Sequence, residues 1–194
     1  MAPAPVKIIV TGNSGLGKTE LIKSLVASRV ADRGMREDFA TIMAIDRSTH
    51  DGAKEAVLKS VSWINQRIKM IRGEQGFAMD RGPIDMLYFW MSARLVAPKT
   101  WLSAAQKVQA AMNSLDLLVL VPAASRLPNT GIPSQNEDGA IRNLSGYADI
   151  KNQATIYGLC YQLVPREKIL VLPSRVTSTS ERLEIIKNAL KSKV

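Results

Sequence analysis

Near the start of the chain, two apolar stretches flank the octapeptide Gly12-Asn13-Ser14-Gly15-Leu16-Gly17-Lys18-Thr19. Upstream, Val6–Thr11 reads as a short buried strand; downstream, Glu20–Val30 reads as an amphipathic helix. Gly12, Gly15 and Gly17 free the backbone to curl, so that successive N–H groups can converge on one point. The first helical turn adds its own unbonded N–H groups and a partial positive charge. Such a loop suits an anion with several oxygens, phosphate above all. A strand, a glycine loop and a helix in that order also open an α/β unit, which calls for parallel partner strands further along the chain.

Those partners can be read. Phe39–Ile45 is predicted as a second strand closing on Asp46, and Gly76–Met79 as a third closing on Asp80. Leu117–Val121 is a fourth and Lys168–Leu172 a fifth. Helical patterns fall between them: about 51–72 with Val57, Val61, Ile64, Ile68 and Ile71 on one face, then Ile84–Val96, Ser103–Met112, Tyr147–Leu163 and Ser180–Lys191. Pro83 suits a first helical turn, and Pro98 a point beyond a helix end. The expected fold is therefore α/β in three layers, a parallel sheet with helices on both faces. Residues 1–194 are expected to form one domain. The stretch Pro122–Gly146 breaks the alternation; it is rich in Pro, Asn, Ser and Gly, carries Arg126 and Arg142, and reads as a lid or substrate segment.

Composition narrows the setting. No apolar run approaches the roughly 20 residues of a membrane span, and Met1–Lys7 lacks the layout of a signal peptide. Cys160 is the single cysteine and cannot close an internal disulfide, so a reducing cytoplasm is expected. Lysine and arginine number 26 against 17 acidic residues, a formal net charge of +9. That surplus favours polyanionic partners such as nucleic acid, or else it is a solvated basic surface.

The octapeptide satisfies the Walker A pattern in full. In that reading Gly12 to Thr19 cradle the phosphates of a nucleotide, Lys18 reaches the β- and γ-phosphates, and Thr19 holds Mg²⁺. The chain has no Asn-Lys-x-Asp sequence of the kind that reads guanine. The third strand ends Met79-Asp80-Arg81-Gly82, with arginine where a water-polarising glutamate would follow in a hydrolase. Transfer to a hydroxyl is thus favoured over transfer to water. Ligands of open parallel sheets bind beyond the carboxyl ends of the strands, where Asp46 and Asp80 are expected. Asp46 is assigned as base and Asp80 as the carboxylate beside the metal, with the reverse assignment open and a helix cap the competing account of Asp46. Arg81, Arg126 and Arg142 are candidates to stabilise the transferred phosphoryl group, and Arg47 to hold the acceptor. Asp85 looks like an ordinary first-turn helix charge, and most aromatic residues like core.

With Gly12–Thr19, Asp80-Arg81-Gly82 and Asp138-Gly139…Arg142 in place, the chain resembles the P-loop nucleoside and nucleotide kinase superfamily. The run Met79–Asp85 followed by Asp138…Arg142 is similar to the phage and NadR-like branch, and Ala44–His50 to the base-bearing strand end of polynucleotide 5′-hydroxyl kinases. The gap from Lys18 to Asp46 is longer than in the latter. The resemblance implies a sheet of order 2-3-1-4-5, ATP and Mg²⁺ as cofactors, and an arginine-bearing lid. In size, loop and charge the chain is also similar to phage DNA kinases that phosphorylate 5-hydroxymethyluracil within DNA. The expected function is an ATP-dependent kinase acting on a hydroxyl of nucleic acid, with 5-hydroxymethyluracil in DNA as substrate, in the host cytoplasm if phage-encoded. The alternatives are a kinase of a free nucleoside or nucleotide, and a nucleotide-dependent switch or ATPase.

Overall fold

Strands that lie between helical layers need side chains that are apolar on both faces, and the central strands of this protein have them. The computed structural model describes residues 6–13, 15–36, 39–73, 75–122, 134–135, 141–142 and 146–192; of 39–40, 134–135, 141–142 and 146–149 it describes the backbone alone. Its main sheet has β1 (Lys7–Thr11) at the centre, flanked by β3 (Phe77–Asp80) and β4 (Leu117–Leu120), with β2 (Gly34–Met35) and β7 (Ile169–Val171) at the edges. All pairings are parallel, and the order β2-β3-β1-β4-β7 is 2-3-1-4-5 counted along this sheet. The three central strands are buried along almost their whole length, while β2 and β7 are shallow.

Side-chain alternation along each strand divides the core in two. Ile8, Val10, Ala78, Leu117, Val119 and Val121 pack with Leu21 and Leu25 of α1 (Lys18–Ala27) and Ile186 of α7 (Thr179–Lys191). Ile9, Phe77, Met79, Leu118 and Leu120 face the other way. They meet α3 (His50–Arg72), α4 (Pro83–Ser92), α5 (Pro98–Met112) and α6 (Gly146–Leu163) through residues such as Ile64, Leu87, Val108 and Leu159. The three-layer α/β expectation therefore holds, in the predicted strand order.

Two local readings are corrected. Phe39–Ile45 is no strand: Phe39–Met43 forms the short helix α2, and the sheet's second strand is Gly34–Met35. A brief apolar run does not by itself separate helix from strand. Of residues 41–44 only Ile42 is buried, which suits one face of a helix and not a strand covered on both sides. The α4–α5 boundary also moves. Arg94 turns the chain with φ 51° just past α4, and Pro98 opens α5 instead of following a helix end. Within the predicted lid, β5 (Ser134–Gln135) and β6 (Ile141–Arg142) pair antiparallel, Ser134 opposite Arg142.

Candidate active site

The phosphate loop leaves β1 at Gly12, which has φ 142°; a Cβ there would fall 2.4 Å from the Val121 carbonyl oxygen. Only glycine tolerates both the conformation and the approach of β4's end. Gly15 and Gly17 take left-handed values of 70° and 75°, and Gly17 is the N-cap of α1 with no side-chain capping bond. No N-cap side chain thus takes up the first-turn N–H groups of α1. Leu16 is buried and pins the loop to the α1–α7 side of the core. Asn13 is buried as well. Ser14 lies outside the described residues.

Lys18 is 5% exposed, and its ammonium donates to the Asn13 carbonyl at 2.8 Å. The lysine folds back over its own loop. The Thr19 hydroxyl donates to Asp80 Oδ2 at 2.8 Å. That bond joins the start of α1 to the end of β3. It brings together a hydroxyl and a carboxylate, hard oxygen donors that suit Mg²⁺ better than a soft metal.

The chain beyond Asp80 is held by a carboxylate that sequence reasoning passed over. Asp85 is 2% exposed, and its Oδ1 accepts from the Thr11 hydroxyl at 2.5 Å and from Arg81 Nη1 at 3.2 Å. Its Oδ2 accepts from the Gly82 N–H at 2.8 Å, which closes the first turn of α4. Arg81 has φ 61°, unusual for a side chain of its size, and its N–H donates to the Val10 carbonyl at 3.0 Å. Asp85 thus ties the guanidinium of Arg81 to Thr11, the residue before the loop. Its position in the first turn of a helix concealed this role, because the decisive partner, Thr11, lies 74 residues earlier.

Asp46 stands elsewhere. It follows α2, is exposed, and its Oδ1 accepts from the Ser48 N–H at 2.9 Å. The Ser48 backbone N–H, and then the Ser48 hydroxyl, hold its carboxyl below the ordinary value. A carboxylate stabilised in this way is a weaker proton acceptor. The helix cap is Thr49, whose Oγ1 accepts from the Gly52 N–H at 3.1 Å. Arg47 lies over the Phe89 ring at 5.1 Å, and His50 is exposed at the start of α3. The carboxylates that follow the true second strand are Glu37 and Asp38, both outside the described residues. The short polar surroundings Arg33-Gly-Met-Arg36 gave no strand signal to point to them. Arg67 of α3 reaches that strand end, with Nη2 donating to the Arg36 carbonyl at 3.3 Å.

Arg126 lies outside the described residues, and Arg142 is described only as a backbone position in β6. The aromatics are occupied in packing. Trp90 Nε1 donates to Ser60 Oγ at 2.6 Å, Trp101 Nε1 to the Leu87 carbonyl at 2.9 Å, and Trp63 and Phe89 are buried. Among the described residues, no helix is long and apolar enough to cross a membrane.

The fold and the loop together define an architecture shared with P-loop kinases. No family model matches the sequence, and no curated protein matches it. Solved structures do resemble it. A NadR protein in complex with NR superposes with TM-score 0.59 at 13% identity, over 96% of this chain and 52% of that one. A deoxyadenosine kinase from M. mycoides with bound dATP gives 0.54 at 16% identity, over 96% of this chain and all of the other. Thymidylate kinase from Candida albicans gives 0.55 at 11%, over 98% and 92%. This chain thus spans about half the length of the NadR protein. At these identities the common property is the fold, a five-stranded parallel sheet with helices around it.

Proposed function

We propose that this protein is an ATP-dependent kinase that transfers the γ-phosphoryl group to a hydroxyl. The observation that carries the reading is the contact of Thr19 with Asp80, set beside a buried Lys18 within one glycine loop. Gly12 to Thr19 bind the phosphates, and Lys18 exchanges its bond to Asn13 for one to a phosphate oxygen. Thr19 and Asp80 hold the metal. Mg²⁺ and ATP, when bound, supply charge neutralisation and the phosphoryl group. Arg81 faces the transferred group from the β3 end, and Arg126 and Arg142, within the sequence read as a lid, are assigned to stabilise its charge. The base we assign to a carboxylate that follows the second strand in sequence, Glu37 or Asp38, in place of Asp46. It takes the acceptor proton as the new O–P bond forms and the bond to the β-phosphate oxygen breaks.

The acceptor we favour is a hydroxyl of nucleic acid, in particular 5-hydroxymethyluracil in DNA. The support for it is the net charge of +9, more than a small-molecule kinase needs. A free nucleoside or nucleotide is the second reading, and it draws on the fold shared with structures holding NR and dATP. The deciding experiment offers γ-labelled ATP to DNA containing 5-hydroxymethyluracil, unmodified DNA with 5′-hydroxyl ends, and free nucleosides and nucleotides. Label on the modified DNA alone is the expected result. Label on a small molecule alone selects the second reading, and steady hydrolysis with no labelled acceptor removes the kinase reading.

A further inference from the structure

A buried arginine from the far end of the chain grips the phosphate loop from behind. Arg182 of α7 is 4% exposed, yet its guanidinium is bonded to two backbone carbonyls and not to an acid. Its Nη1 donates to the Leu16 carbonyl at 2.6 Å and its Nε donates to the Val176 carbonyl at 3.0 Å. One guanidinium therefore ties the loop after β7 to the phosphate loop, across 166 residues of sequence. Burying a guanidinium is unfavourable unless its donors are matched, and desolvation here lowers its proton affinity from the ordinary value.

The geometry of the peptide bond gives this contact a consequence. In a trans peptide the carbonyl and the following N–H point in opposite directions. Among the described residues there is no cis bond. Holding the Leu16 carbonyl toward α7 therefore aims the Gly17 N–H away from α7. Gly17 is the left-handed cap of α1, where the phosphate-binding N–H groups begin. Its freedom to rotate would otherwise be large, because glycine has no preferred hand. Arg182 also places a fixed positive charge just outside the loop, in a setting of reduced dielectric.

We infer that Arg182 is a positioning residue of the phosphate loop: it orients the Leu16–Gly17 peptide and so sets affinity for a polyphosphate, acting through the backbone without touching the ligand. The inference rests on the kinase reading only in taking the loop as a polyphosphate site.

The test measures binding of inorganic tripolyphosphate and of Mg·ATP to wild type, Arg182→Met, Arg182→Lys and Ile186→Ala, together with Tm and the KM for each substrate. Ile186 is buried on the same helix and serves as a control for loss of stability alone. Loss of a charge-assisted bond predicts that Arg182→Met binds tripolyphosphate at least about tenfold more weakly. Arg182→Lys keeps the charge but not the fork, so it should fall between Arg182→Met and wild type. KM for ATP should rise while KM for the acceptor holds, and Ile186→Ala should lower Tm with unchanged tripolyphosphate affinity. Binding by both Arg182 variants within twofold of wild type overturns the inference, as does an equal loss in Ile186→Ala. If wild type itself binds neither probe, the polyphosphate site fails first and the inference with it.

Discussion

Asp80 and Asp46 share a residue type and an expected place at a strand end, and the fold treats them in opposite ways. Asp80 closes β3, a strand with neighbours on both sides, and its carboxylate meets Thr19 at the start of α1. Asp46 follows a five-residue helix, sits in solvent, and satisfies itself on Ser48 two residues away. A carboxylate at the end of a central strand inherits its position from the whole sheet. One in a connection takes its partners from its own turn. Sequence identity alone carries no sign of this difference; the neighbours decide it.

The largest effect that would test the contrast is at Asp80. Asp80→Asn keeps the shape of the side chain but removes the charge beside Thr19, so kcat should fall on the order of a thousandfold. Near-normal turnover in that variant would take Asp80 out of the site. Next come the carboxylates after β2. Of Glu37→Gln and Asp38→Asn, one should slow transfer by about a hundredfold while the other changes it little, as steady-state rates would reveal. Equal indifference to both would return the role of base to Asp46.

Asp85→Asn tests the support beneath Arg81. The amide loses part of the bonding to Thr11, Arg81 and Gly82, at a cost of about 2 kcal/mol in stability. For a chain of this size that is a fall in Tm of roughly 4–8 °C, together with a slower rate as Arg81 loosens. An unchanged melting curve would contradict the geometry of those three bonds. Asp46→Asn should give the smallest effect, no more than about twofold in rate at neutral pH. Its depressed folded pKa stabilises the protein above the unfolded value, and that contribution disappears as pH falls through the folded one. Asp46→Asn should therefore lower the neutral plateau of a Tm-against-pH curve slightly and meet the wild-type curve in acid, which flattens the acid limb.

Much of the fold was legible because β1, β3 and β4 are continuous apolar runs, a pattern that buried parallel strands require. The phosphate loop was equally plain, since its glycines and its lysine act within eight residues. What escaped depended on pairing rather than on composition. Gly34–Met35 is a strand because β3 lies beside it, with nothing in two residues to announce it. Phe39–Met43 has strand-like residues, and of 41–43 only Ile42 is buried. Thr11 lies 74 residues from Asp85 and Leu16 166 residues from Arg182, beyond the reach of any local pattern.

That last separation bears on the order in which the molecule can mature. The glycine loop is synthesised 166 residues before Arg182, so a nascent chain carries that loop without this support until α7 has emerged and docked. Fixing of the Leu16–Gly17 peptide is then a late event of folding, one that waits on a helix made long after the loop itself.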